Sequence, residues 1–181
     1  MDLVNTLDHT FQHAQQVIAG VRPDQYDDNT PCTEWTVRDL LNHQIGVVAG
    51  LGAAAAGTPR GEFTLSADPG GQFAEAAAAT LAAWRTPGVM ERTLESAAGP
   101  MPGHVLASIN LVDTATHTWD LAKATDQPAK LPDDVAAAAL EASRMIITAP
   151  DMRGSRFGPE IPAPDDADAT DLLVAFLGRT P

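Results

Sequence analysis

The sequence contains one cysteine, Cys32, among 181 residues, so it can form no internal disulfide and nothing in its thiol content demands an oxidising compartment. Basic residues are scarce. Eleven Lys and Arg stand against 24 Asp and Glu, for a formal net charge of −13. Nucleic acid and anionic membrane surfaces both require clustered Lys and Arg, so neither is expected as the main partner. No apolar run approaches the ~20 residues a bilayer span needs. The start Met1-Asp2-Leu3-Val4-Asn5 lacks the basic and then uninterrupted apolar pattern of a secretory signal, and the expected location is cytoplasmic. Aromatics make up only 5% of the chain, so alanine, leucine and valine must carry the packing, which favours helices over sheets. Phosphate-loop, dinucleotide-binding and Gly-x-Ser-x-Gly nucleophile-elbow signatures are all missing, which removes the activities that depend on them.

What the chain does contain is helical periodicity. Its length suits one domain, residues 1–181, with a core that needs no disulfide or structural metal. Leu3, Leu7, Phe11, Ala14, Ile18 and Val21 predict an amphipathic helix over residues 2–20, closed by Gly20 and Pro23. On it His9 and His13 fall on the polar side and are expected to be exposed. Thr36 and Asp39 have the spacing of a capping box and open a second helix, with Val37, Leu40, Leu41, Val48 and Leu51 facing inward, that fades near Gly57. A Gly- and Pro-rich loop covers 58–71, and Phe73, Ala77, Leu81 and Trp84 mark a third helix ending before Pro87. A small hairpin is expected within 89–103, a fourth helix over 104–125 and a fifth from Pro132-Asp133. An irregular stretch over 149–166 precedes a short last helix at 170–177. The fold class is therefore all-α, a helical bundle with short extra helices.

The chemistry concentrates in Asn110-Leu-Val-Asp-Thr-Ala-Thr-His-Thr-Trp-Asp120. At about 100° per residue, Asp113 and His117 point into one wedge with Leu106, Asn110 and Leu121, the side expected to face the interior. A buried carboxylate needs a partner, and a divalent ion supplies one. His43, at the edge of the apolar stripe of the second helix, is the third candidate ligand. Two histidines and one carboxylate suit zinc first, with nickel, iron or manganese as alternatives, and three protein ligands leave a coordination position open. The competing reading of Asp113 and His117 is an ordinary helix-surface ion pair. Asp120, one turn beyond His117, is an orienting partner, an extra ligand, or a hydrogen-bond partner of a neighbouring loop, the last preferred. Cys32 precedes a helix but has no base beside it in the sequence, so it reads as a small packing residue. Trp35 and Trp119 read as bundle packing, and His104 as a surface residue at a helix start.

Thr30-Pro-Cys-Thr-Glu-Trp-Thr-Val-Arg-Asp-Leu-Leu-Asn-His43, Asp113-Thr-Ala-Thr-His117-Thr-Trp-Asp-Leu-Ala-Lys-Ala-Thr125 and the closing Phe176-Leu-Gly-Arg-Thr-Pro181 resemble the actinobacterial metal-binding branch of the DinB-like superfamily, which includes the N-terminal domain of mycothiol-dependent maleylpyruvate isomerase. The resemblance implies an up-down-down-up four-helix bundle and a zinc or related divalent ion on His43, Asp113 and His117. Asp113 stands where the isomerase carries glutamate. The activity implied is metal activation of a low-molecular-weight thiol, such as mycothiol, for transfer to a small electrophile or for its thiol-assisted isomerisation. Two alternatives stay open: a metal-dependent hydrolase or lyase that uses bound water, and a non-catalytic metal-binding or partner-binding bundle. Expected partners are a small-molecule substrate and a small thiol, and the bundle leaves room for a homodimer.

Overall fold

Four long helices form the frame of the computed structural model, which describes residues 2–97, 99–148, 153 and 157–181. They are α1 (Leu3–Ala19), α2 (Val37–Ala56), α3 (Pro69–Trp84) and α4 (Gly103–Ala124), followed by α5 (Asp133–Ile146) and α6 (Ala169–Phe176). The ends follow local chemistry. Asp2 caps α1, and Thr36 and Asp39 close the expected capping box on α2, which stops at Gly57 in the left-handed region. The third helix starts four residues before Phe73 because Asp68 caps the Gly71 amide and Pro69 occupies the first turn, where its missing N–H costs nothing. The hairpin is minimal, β1 (Thr93–Leu94) paired antiparallel with β2 (Met101–Pro102). Among the described residues no helix is long and apolar enough to cross a membrane. The first part of the irregular stretch read at 149–166, residues 149–152 and 154–156, lies outside the described residues, and the later part runs without helix or strand into α6.

Helix directions follow from which ends meet. Asp8 pairs with Arg85 at 2.7 Å and Gln15 donates to the Gly70 carbonyl at 3.0 Å, so α1 and α3 are antiparallel. Gln127, just past α4, donates to the Val17 carbonyl near the end of α1, so these two run together. On the facing pair, Cys32 before α2 meets Asp120 while His43 meets Asp113, which makes α2 and α4 antiparallel. The order is up-down-down-up. Parallel α2 and α3 require a return, and the 12-residue segment 57–68 supplies it, with ~40 Å of extended reach against the ~30 Å length of α2.

The fourth helix is buried on nearly every side, because α1, α2 and α5 all pack on it. Leu106, Asn110 and Leu121 are buried as their wedge predicts. Close approach of α2 to α3 depends on Gly52: a Cβ there would overlap the Thr80 hydroxyl and sit 3.0 Å from the Thr80 Cα, while that hydroxyl already donates to the Val48 carbonyl. Gly52→Ala is expected to lower stability by about 1–3 kcal/mol through overpacking, read as a fall in the urea midpoint. An unchanged midpoint would mean the two helices separate freely.

Candidate metal centre

The segment between the first turn after α1 and the start of α2 is shaped by one side chain. The Thr30 hydroxyl donates to the Trp35 carbonyl at 2.9 Å and accepts from the Cys32 amide at 3.1 Å, and the Trp35 amide closes a turn on the Cys32 carbonyl. The Asp28 and Tyr26 carbonyls accept from Val37 and Arg38, which ties the segment to the first turn of α2. Cys32 and Trp35 are thereby set over the middle of α4, beside His117. On the α2 side, Gln44 is fully buried and donates to the Thr114 carbonyl at 3.2 Å and the Thr118 hydroxyl at 2.9 Å, which fixes the register of α2 on α4 next to His43.

His43, Asp113 and His117 meet where these elements converge. His43 Nε2 lies 3.1 Å from Asp113 Oδ1, and His117 Nε2 lies 3.7 Å from the same oxygen. Donor atoms held 2.0–2.2 Å from one tetrahedral ion stand roughly 3.3–3.6 Å apart, so the three atoms suit a common ion. Asp113 Oδ2 is buried and has no hydrogen-bond partner among the described residues, an arrangement that leaves the carboxylate short of positive charge. Side-chain exposure falls from 31% at His43 through 19% at Asp113 to 12% at His117, so the cluster opens toward solvent on the α2 side.

The opposite face of His117 is engaged. Its Nδ1 lies 3.0 Å from Oδ2 of Asp120, a carboxylate with no exposed surface. Asp120 also accepts from the Cys32 thiol at 3.2 Å, and from Arg179 Nε to Oδ1 at 3.1 Å and Nη2 to Oδ2 at 2.9 Å. Asp120 thus makes the loop hydrogen bond that the sequence favours, to Cys32, and also bonds to His117 Nδ1. The expectation that Cys32 has no base nearby is corrected: Asp120 Oδ2 is 3.2 Å and His117 Nδ1 3.9 Å from its sulfur, while Arg179 Nη2 donates to it at 3.5 Å. Cys32, His117 and Asp120 form a second group with metal-ligand spacing. In that group the Arg179 guanidinium already supplies the cation.

Burial works against the charged form of His117, yet Asp113 on one side and Asp120 and Cys32 on the other outweigh it and raise its pKa to about 10. Burial also opposes ionisation of Asp120, but the hydrogen bonds from His117 and Arg179 dominate and keep its carboxyl below the usual range.

Trp35 packs against the core as expected, partly buried, and its ring also lies 4.5 Å from that of His43 and 5.7 Å from that of His117, so it covers one side of the cluster as well. Trp119 is buried as expected, with Lys123 over its ring. A cavity of about 660 Å³ opens from His43 between Trp35, Asn42, Arg60 and Phe63, a volume that suits a small molecule. Its walls come partly from the 58–68 loop. His104 is exposed as expected and His9 pairs at the surface with Asp134, but His13 is half-buried, with burial lowering its pKa. Sequence reasoning did not single out Arg179. The signals for it are its place directly after a helix-stopping Gly178 and within the closing segment Phe176–Pro181 that carries part of the resemblance.

Comparison with known proteins gives a consistent picture. Two uncharacterized proteins of Mycobacterium tuberculosis, from strains CDC 1551 / Oshkosh and ATCC 25618 / H37Rv, are each 37% identical to this chain over 169 residues, covering 91% of this chain and 90% of the relative. The crystal structure of the mycothiol-dependent maleylpyruvate isomerase shares the fold at a TM-score of 0.59 and 14% identity, over 81% of this chain and 70% of that one. Residues 7–122, which hold α1 through most of α4 and with them His43, Asp113 and His117, match the mycothiol maleylpyruvate isomerase N-terminal domain, and the chain belongs to that family.

Proposed function

We propose that His43, Asp113 and His117 hold a divalent ion, zinc first, and that the protein is an enzyme using this centre to activate a low-molecular-weight thiol of the mycothiol type. The thiol is transferred to a small electrophile or assists its isomerisation. The observation that carries the reading is the convergence of two imidazole Nε2 atoms on one Asp113 oxygen while the other oxygen is buried and unpartnered. Membership of a family described by mycothiol supports the choice of thiol.

The ion, when bound, supplies a Lewis acid that holds a thiol as thiolate at neutral pH. The chain's own residues do the rest. Asp120 accepts from His117 Nδ1 and leaves Nε2 as the free lone pair facing Asp113. Trp35 lies against both imidazole rings and keeps bulk water off that side, so charges at the cluster interact through a less polar medium. The cavity beside His43 admits the electrophile, with Phe63 offering an apolar wall and Arg60 and Asn42 polar contacts.

Zinc-loaded protein incubated with mycothiol and a fluorogenic alkylating electrophile is expected to consume thiol at least tenfold faster than buffer, with the gain abolished by chelation. Electrophile turnover at equal rate without thiol would sink this reading in favour of water chemistry. No turnover with either nucleophile would favour the non-catalytic bundle.

A further inference from the structure

Asp120 is fully buried and accepts from three side chains, His117, Cys32 and Arg179, of which Arg179 alone reaches both carboxylate oxygens. Arg179 itself is 8% exposed and grips both carboxylate oxygens, Nε on Oδ1 and Nη2 on Oδ2. A guanidinium fork matches a carboxylate in this way with a fixed mutual orientation, which an ammonium cannot impose.

The path of the backbone makes Arg179 a rigid anchor. The last helix, α6, ends in a Schellman motif: the Arg179 amide donates to the Val174 carbonyl at 2.8 Å and the Gly178 amide to Ala175 at 3.0 Å, with Gly178 at φ 82°. The Gly178 backbone lies flat against Gly158, leaving no space for a side chain. The Arg179 Nη1 turns back onto the Leu177 carbonyl at 3.1 Å. Nε, Nη1 and Nη2 are thus each bonded within the fold, and Arg179 does not line the cavity at His43.

Charge balance points the same way. With neutral imidazoles, the cluster of His43, Asp113, His117 and Asp120 carries two negative charges, and Arg179 removes one of them at the carboxylate that faces away from the cavity. Asp113 is then the carboxylate left to meet a cation, and Asp120 is held as an acceptor for His117 Nδ1.

We propose that Arg179 is a positioning residue for the metal centre: the C-terminal tail clamps Asp120, Asp120 sets the ring of His117, and the tail thereby controls how well His117 presents Nε2 to a divalent ion. The proposal rests on the metal reading above and extends it to a residue 59 positions from the carboxylate it holds.

The test is zinc affinity of the full chain, measured by competition with a chromophoric chelator, for wild type, Arg179→Gln, Asp120→Asn and the double variant. Loss of an outer hydrogen-bond partner of a ligating histidine weakens binding about 10–100-fold. Asp120→Asn is expected to lose that much, Arg179→Gln, one hydrogen bond further out, at least about threefold, and the double variant no more than about threefold beyond Asp120→Asn, because the two act through one path. Arg179→Lys, which keeps the charge but not the fork, is expected to recover part of the loss, and it decides the matter if Arg179→Gln does not fold. Affinity within twofold of wild type in the folded Arg179 variants overturns the proposal, as do fully additive losses, even if both variants melt earlier. Wild type that binds no zinc overturns this proposal and the metal reading together, whereas tight wild-type binding with indifferent Arg179 variants overturns this proposal alone.

Discussion

Replacing His117 with alanine is expected to strip the protein of its divalent ion. Metal analysis of wild type purified without a metal-binding tag should give close to one equivalent of zinc per chain, and His117→Ala should fall below about a tenth of that. The reason lies in the geometry. His117 is the least exposed of the three side chains, and its Nδ1 is held by Asp120, so its ring is the ligand with its orientation fixed. Losing a direct ligand is expected to weaken binding by more than the ~10–100-fold that an outer partner costs. His43→Ala should behave alike with a smaller effect, since His43 is the more exposed ligand. His104→Ala is the control: that imidazole is exposed and lies by the Met90 carbonyl, and its removal should leave metal content unchanged. Retention of metal in both His117→Ala and His43→Ala would rule out this site, whereas retention in His43→Ala alone would point to the Cys32, His117 and Asp120 group.

The parts of this centre that were legible in the sequence are those that a single helix fixes. Asp113 and His117 are four residues apart, and helical geometry alone puts them on one face; the burial of Leu106, Asn110 and Leu121 shows that the face is the interior one. The Thr36 and Asp39 box and the Gly57 stop were legible because caps are local hydrogen-bond patterns. His43 needed a statement about which helices pack together, and the resemblance supplied what periodicity does not.

The rest depends on chain segments whose course no period encodes. Trp35 and Cys32 sit over His117 because the Thr30 hydroxyl folds an irregular loop, and Arg179 reaches Asp120 because α6 ends in a particular turn. His13 was misplaced for a related reason. Angular position on α1 gives a polar side, but α3, α4 and α5 all pack on this helix and leave little of its circumference open.

The same electrostatics that favour an ion make the metal-free protein sensitive to alkaline pH. Without an ion, protonated His117 bridges Asp113 and Asp120, and its pKa rises to about 10 against an ordinary 6.5. Between those values the folded chain holds a proton that the unfolded chain has released, so stability declines as pH rises. This contribution is fully present below about pH 6.5, is lost progressively through pH 10, and is on the order of a few kcal/mol. Urea midpoints in chelator should therefore fall from pH 6.5 to pH 9.5, and His117→Gln, carried through the same series, should lack this component while retaining every other titration. Zinc-loaded protein should show a flatter profile over the window, because Nε2 no longer carries the proton that is lost. A metal-free midpoint that stays level or rises across this range would mean that His117 is neutral in the folded chain, and that Asp113 and Asp120 do not act on it together.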